Sequence, residues 1–423
     1  MSAHTQINWY NKAASLPDFH KIYQAIIIPE YREPLHILKR TLDNLTKQDF
    51  PRSRIIIVLA TEDSDETADA TAHQLTEIFA AKFGHFLVTR HKLAAGEING
   101  KSSNMAHAAN ELIKYLNRKL ILPNLVLVTS CDADALLHPS YASYVTYEHL
   151  KNPENISTIY QGAILFYSNI WRIPQPNRVL NTLNSIWNLS MLSQTKRLIN
   201  FSTYTIPLIT AQKAGSWSPD VIPEDYHLYF KTYFSLGEKV KTKPIFLPVF
   251  VDAAESTSFL KTFINQYEQS KRWSWGVSDI PYVIRGMIIH SEIPVTDRIR
   301  RLIYLLEQHL FWSANWFLLT LGSIVPPLIN PAFNRTALGH NLSQLSSGIL
   351  TLSALMLVVV IIIDHRIKPP RPKEYPVWKI PFFYLHWFTL PVISFLLSAL
   401  PGLDAHTRLL LGKKLKYRVT EKV

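Results

Sequence analysis

Apolar residues follow two different patterns along the chain. Over residues 1–254 they fall in short runs, Ile22 to Ile28, Arg54 to Ala60, Phe86 to Thr89 and Leu125 to Thr129, separated by helical periodicity around 35–46, 66–83 and 102–116. Such runs predict buried strands, and their alternation with helices predicts an α/β unit: a mainly parallel, Rossmann-like sheet with helices on both faces. Ligands of such sheets bind at the carboxyl ends of the strands.

Farther on the runs lengthen. Leu310 to Ile329, Leu345 to Ile363 and Phe382 to Leu400 contain no Asp, Glu, Lys or Arg, and each is long enough to cross roughly 30 Å of hydrocarbon as a helix. The second has no polar face to give to water, which predicts a membrane span. Trp312, Trp316, Trp378 and Trp387 near the run ends suit interfacial anchoring. The chain therefore divides into 1–254, an amphipathic interfacial segment at 255–302, a transmembrane region at 303–401 and a basic tail at 402–423.

Orientation is read from charge. The first twenty residues show no secretory leader, so the first unit is expected in the cytoplasm. Arg366, Lys368, Arg371, Lys373 and Lys379 lie between the second and third runs, against Arg335 alone between the first and second, which places the former loop inside. Three full crossings put Arg408, Lys413, Lys414, Lys416 and Arg418 on the far side, against the same rule. Either the third run, interrupted by Pro391, re-enters, or the tail is an exception.

Composition narrows the partners. At 47% hydrophobic and 18% charged, with Cys131 the single cysteine, the chain is neither disordered nor a disulfide scaffold. A net charge of +12 suits phosphate, nucleic acid or an anionic membrane surface. The clustering of basic residues beside the apolar runs favours membrane lipid over nucleic acid. His107, His138 and His290 have no zinc-like spacing.

Acidic residues gather at the expected strand ends. The first strand stops in Pro29-Glu30-Tyr31-Arg32-Glu33, the second runs into Thr61-Glu62-Asp63-Ser64-Asp65, and the fourth into Cys131-Asp132-Ala133-Asp134. Glu62 to Asp65 are either turn formers and helix caps or part of a site. Asp132 and Asp134, two apart, can project to one side and repel unless a cation lies between them. Mg²⁺ or Mn²⁺, held by one or two carboxylates and completed by phosphate oxygens, fits that arrangement. Asp225, in Ile222-Pro223-Glu224-Asp225, reads equally as a helix-start carboxylate and as a general base. Gln269-Ser270-Lys271-Arg272-Trp273 reads as an interfacial anchor, or as a site with a guanidinium for phosphate and an indole face for a sugar ring.

In chain order these pieces are P-x-Y-x-E, an acidic turn, G-K-S-S-N (Gly100 to Asn104), D-x-D, E-D and Q-x-x-R-W. The series, followed by membrane helices, resembles the membrane-embedded family-two glycosyltransferases, the group of cellulose, chitin and hyaluronan synthases, from about Ile22 to Leu400. The resemblance implies a GT-A domain, a nucleotide-sugar donor (a UDP-sugar), a divalent metal, and inversion at the anomeric carbon. It places Pro29, Tyr31 and Glu62 at the nucleoside, Lys101 in support of the donor site, and Asp132 at the diphosphate or the metal. It makes Asp134 the metal ligand and Asp225 the base, with Glu224, Gln269, Arg272 and Trp273 near the diphosphate and acceptor sugar. Two departures stand out: Arg32 occupies a position where many members carry Asn, and the acidic turn reads T-E-D-S-D instead of D-D-G-S.

Three functions compete on these grounds. The first is extension of a polysaccharide at the cell membrane by a multi-pass protein with a cytoplasmic catalytic domain, a partner subunit helping to form any pore. The second is transfer of one sugar to a lipid-linked acceptor, which needs no channel. The third is an inactive nucleotide-binding membrane protein, against which the retained Asp132, Asp134, Asp225 and Arg272 count.

Overall fold

The computed structural model describes residues 1–415, 420 and 421. Lys416 and Arg418 of the basic tail lie outside the described residues. Eight strands make one sheet: β1 (Tyr23–Pro29), β2 (Ile55–Glu62), β3 (His85–His91), β4 (Val126–Ser130), β5 (Leu136–Leu137), β6 (Thr158–Leu165), β7 (Tyr204–Pro207) and β8 (Lys241–Phe250). Their order is β3-β2-β1-β4-β7-β6-β8-β5. The four strands anticipated from short apolar runs are neighbours, and all pair in parallel. Beyond them β7 runs antiparallel to both β4 and β6, so the α/β sheet is mixed in its second half.

The apolar runs explain the burial. Every residue of β2 and β4 is buried, as a strand covered on both faces requires. Alternate side chains serve opposite cores: Ile26, Ile28, Ile57 and Leu59 pack on one side with the helices Leu35–Leu45 and Ala68–Phe79, while Ala25, Ile27, Ile56 and Val58 pack on the other with Lys101–Arg118 and Glu224–Leu236. Antiparallel pairing of Ser130 with Tyr204 sets residues 200–203 beside the end of β4. Parallel pairing of Leu165 with Phe250 ends β6 and β8 on the same rim. The carboxyl ends of β1, β2, β4, β6 and β8 thus share one edge with the start of β7.

The apolar C-terminal part differs from expectation at Leu310 to Ile329 and at Trp387. Leu310 to Ile329 is not one helix: Val295–Thr320 ends in a turn at 321–324, and a short helix Val325–Ile329 follows. Pro326 and Pro327 lack the N–H groups needed to continue the earlier helix, and they open a new one instead. The first half of Val295–Thr320 is docked through Arg301, which donates to Asp297 and to the carbonyl of Val240. Its outer face carries Ile299, Ile303, Leu306 and Leu310, exposed at helical spacing.

Two helices are long and apolar enough to cross a membrane, Ala337–Ile367 and Val377–Leu410. The first is about 46 Å long at 1.5 Å per residue, and none of its most apolar window is buried within the chain. The second contains Phe382 to Leu400. Its backbone tightens to a 3₁₀ turn at His386–Thr389 before Pro391 and widens to a π turn at Phe395–Ala399. Trp378 is exposed at its start, whereas Trp387 is buried against Val179 and Leu397 and so is not an interfacial anchor.

One buried cluster fastens Ala337–Ile367 to the sheet domain. Asp364 is enclosed, accepts from the Tyr167 hydroxyl at 2.9 Å and pairs with Lys368, whose Nζ lies 3.7 Å from the Phe383 ring centre. Removing one member of a buried pair leaves the other charge uncompensated, a loss of about 3 kcal/mol. Asp364→Leu should therefore lower the Tm of the detergent-solubilised chain. A Tm equal to that of the parent would show that the pair contributes nothing.

Candidate functional site

The shared rim opens into one cleft of about 330 Å³, within the range of small-molecule sites. Every residue singled out in the sequence lines it: Pro29, Tyr31, Glu62, Lys101, Asp132, Asp134, Glu224, Asp225, Gln269, Arg272 and Trp273. They come from three strand ends and three helix termini, so the fold brings them together where the sequence spreads them over more than half the chain.

At the β1–β2 end, Glu30 and Glu62 are both buried. Burial, with Asp65 and Glu33 adding repulsion, pushes the Glu30 carboxyl up to about 8. Burial pushes Glu62 up to about 7 against the pull of His91, whose Nδ1 lies 3.1 Å from Glu62 Oε2. The acidic turn divides its work. Glu62 faces the cleft, while Asp65 is a cap that accepts from the backbone of Arg32 and Thr67, both at 2.9 Å. Arg32 is held at φ 57°, a left-handed conformation that Asn adopts more readily than Arg.

Lys101 opens the helix Lys101–Arg118 after Gly100, whose φ of 150° and ψ of −169° are accessible essentially to glycine alone. That turn delivers the ammonium to 2.8 Å from Asp132, 2.9 Å from Glu224 and 2.9 Å from the Ser202 carbonyl. Although burial opposes its charge, Asp132, Glu224 and Asp225 hold the Lys101 pKa well above its ordinary value. Burial pushes Glu224 up to about 8 despite Lys101, and Asp225 adds to the rise.

The two carboxylates of Asp132-Ala133-Asp134 are answered separately. Asp132 accepts from Lys101 Nζ at 2.8 Å and from the Ser202 hydroxyl. Asp134 accepts from the backbone N–H of Asp252 at 2.8 Å, and Asp252 pairs with Arg40 at 2.6 Å. Among the described residues no three His, Cys, Asp or Glu side chains gather to hold a metal unaided. Asp134 beside Asp252 on the cleft floor still suits a hard divalent ion that takes one or two carboxylates and completes its shell with substrate phosphate.

Asp225 lies in the first turn of Glu224–Leu236. Oδ2 accepts from Ser202 N at 2.8 Å and Oδ1 from Tyr226 N at 2.9 Å, fixing the carboxylate while it borders the cleft. Gln269, Arg272 and Trp273 share one face at the end of Phe259–Ser274. Gln269 accepts from Gln266 at 3.0 Å, Arg272 donates to the Thr420 hydroxyl at 3.1 Å, and Trp273 packs 5.4 Å from Phe166.

Glu30, within the stretch expected at the nucleoside, lines the cleft, whereas several other lining residues were not foreseen: Asp252, Trp187, His309, Trp312 and Thr420. Glu30 and Asp252 had a legible signal, an acid directly after a strand. His309 and Trp312 fall in or beside a run assigned to the membrane.

The raised Glu30 carboxyl has a pH consequence. The folded state keeps a proton that the unfolded chain releases near 4.5, so stability falls as pH rises from there to about 8. Glu30→Gln should flatten the decline of Tm over that window. An unaltered slope would show that Glu30 is not the proton binder.

The family model described as glycosyl transferase family group 2 matches residues 127–399. No curated protein matches the chain. Among solved structures, the mannosyltransferase PcManGT from Pyrobaculum calidifontis in complex with GDP-Man and Mn²⁺ aligns over 98% of this chain and 96% of its own, at 13% identity and TM-score 0.48. S. aureus TarS aligns over 71% of this chain and 46% of its own, at 14% identity and TM-score 0.41. TarS 1–349 in complex with UDP-GlcNAc aligns over 73% of this chain and 78% of its own, at 12% identity and TM-score 0.42.

Proposed function

Because the chain belongs to glycosyl transferase family group 2, we propose that it moves a sugar, with inversion, from a nucleotide-sugar donor to a glycan acceptor at the membrane surface. The observation that carries this reading is the convergence of Lys101, Asp132, Asp134, Asp225, Arg272 and Trp273 on one cleft.

In the proposed arrangement the nucleoside of a UDP-sugar lies at Pro29, Tyr31 and Glu62, and its diphosphate runs toward Lys101 and Arg272. Asp225, oriented by two backbone N–H groups, takes the proton of an acceptor hydroxyl. The acceptor oxygen bonds to C1 from the face opposite the diphosphate, and the bond from C1 to the diphosphate oxygen breaks. Positive charge grows on the sugar and negative charge on the leaving group. Arg272 and Lys101 are fixed before the reaction, so their field costs no reorganisation when that charge appears. Mg²⁺ or Mn²⁺, held by Asp134 with Asp132 alongside, would supply Lewis-acid neutralisation of the departing diphosphate.

The growing end of a polysaccharide is the proposed acceptor, supported by the Trp273 indole in the cleft wall. A lipid-linked acceptor extended by one sugar is the second reading, favoured by the exposed stripe of Ile299, Ile303, Leu306 and Leu310 on the helix that borders the cleft. The two helices long and apolar enough to cross a membrane support a reaction at the cell membrane, and the basic loop between them is proposed to face the cytoplasm with the sheet domain. A ladder of products from labelled donor would support polymer synthesis, and one added sugar the lipid-linked reading.

Asp225→Asn should reduce transfer at least about a hundredfold, the scale of general-base catalysis, while nucleotide-sugar binding stays within a few fold. Parental turnover would mean that another group is the base. Asp134→Ala should abolish the metal dependence of nucleoside diphosphate binding, measured by titration with and without Mn²⁺. Persistence of that dependence would move the metal elsewhere.

A further inference from the structure

The cleft has a wall that the reaction above leaves idle. The helix Val295–Thr320 contributes Gln308, His309 and Trp312 to it. His309 is only 6% exposed, yet neither Nδ1 nor Nε2 has a hydrogen-bond partner among the described residues. Trp312 Nε1, three residues on, is likewise buried without a partner. Buried polar atoms in folded chains are nearly always paired, so three neighbouring exceptions on one cleft wall mark a place where a ligand supplies the partners.

The wall adjoins the proposed base. Tyr226, whose N–H holds Asp225, donates its hydroxyl to Gln308 at 2.8 Å, and its ring lies 6.4 Å from that of His309. Gly276, just past Trp273, leaves room for the imidazole: a Cβ there would stand 3.0 Å from His309 Cε1. His406, the other ring nearby, is 6.2 Å away between centroids and turns its Nδ1 to the Ser313 hydroxyl.

The chemistry of the wall selects its occupant. Burial pushes the His309 imidazole down to about 4, so near neutrality one ring nitrogen donates and the other accepts, while the indole only donates. A sugar hydroxyl also donates and accepts, and adjacent hydroxyls can meet both side chains. A phosphate monoester accepts only and carries charge that calls for cations. Lys101 and Arg272 are the only Lys or Arg among the described lining residues, and Lys101 is already shared by Asp132 and Glu224.

We propose that His309 and Trp312 form the acceptor subsite and bind the hydroxyls of a pyranose, so that the nucleophile presented to Asp225 is a sugar hydroxyl and not the phosphate of a polyprenyl phosphate. The subsite rests on the glycosyltransferase reading and names the acceptor class for it. His309 touches the acceptor and leaves the proton to Asp225; the new bond joins the sugar oxygen to C1, and the electron pair leaves with the nucleoside diphosphate.

The test uses the full chain in detergent with Mn²⁺ and, in turn, UDP-glucose, UDP-GlcNAc and GDP-mannose. Released nucleoside diphosphate is measured without acceptor, with a panel of n-octyl glycosides, and with polyprenyl phosphate. Stimulation by at least one glycoside is expected, with His309→Phe raising the KM for that glycoside at least tenfold and changing kcat less. His309→Gln, which keeps a donor and an acceptor, should recover most of the loss, and Trp312→Phe should raise the same KM. If the parent consumes donor but no glycoside stimulates it, the subsite is wrong and the glycosyltransferase reading stands; a glycoside KM unmoved by His309→Phe has the same meaning. Failure to consume any donor under every condition overturns the glycosyltransferase reading and this subsite with it.

Discussion

A single, largely enclosed ammonium organises the cleft. Lys101 lies between Asp132, at the end of β4, and Glu224, at the start of a helix more than ninety residues later, and it holds the Ser202 carbonyl between them. An unpaired charge so enclosed costs several kcal/mol, and so does each carboxylate left without it. The Gly100 turn, the β4–β7 pairing and the approach of Glu224–Leu236 must therefore all be in place together. Asp225 inherits its position from this node, because the Ser202 that faces Lys101 through its carbonyl faces Asp225 through its N–H.

Much of the sheet domain was legible because its strands are continuous β-branched runs such as Ile55-Ile56-Ile57-Val58, which have few alternatives to a doubly covered strand. The helices 35–46, 66–83 and 102–116 were readable from periodicity for the same reason, and they match Leu35–Leu45, Ala68–Phe79 and Lys101–Arg118 to within a few residues. The antiparallel entry of β7 was not legible: Tyr204–Pro207 is four residues long, and its direction is set by partners distant in sequence. Site residues at strand ends could be named from acid after an apolar run. What they pair with could not, since the Lys101 that compensates Asp132 lies 31 residues earlier.

The failure at Leu310 to Ile329 is instructive in physical terms. Composition alone made that run look like a span, but hydrophobicity does not say which side of a helix is committed elsewhere. Upstream, Arg301 and Asp297 tie Val295–Thr320 to the sheet domain, and downstream Pro326 and Pro327 prevent its extension. The helix consequently forms a wall of the cleft, lined by His309 and Trp312, and leaves Leu306 and Leu310 exposed. One element thus carries both an exposed apolar face and a wall of the cleft.

The Asp364 cluster bears on how the chain matures during synthesis. Tyr167 and Arg178 emerge from the ribosome nearly two hundred residues before Asp364 and Tyr375, with which they pair. Until then the Tyr167 hydroxyl and the Arg178 guanidinium lack these partners. Docking of the end of Ala337–Ile367 therefore comes late in synthesis and completes contacts that the sheet domain by itself leaves open.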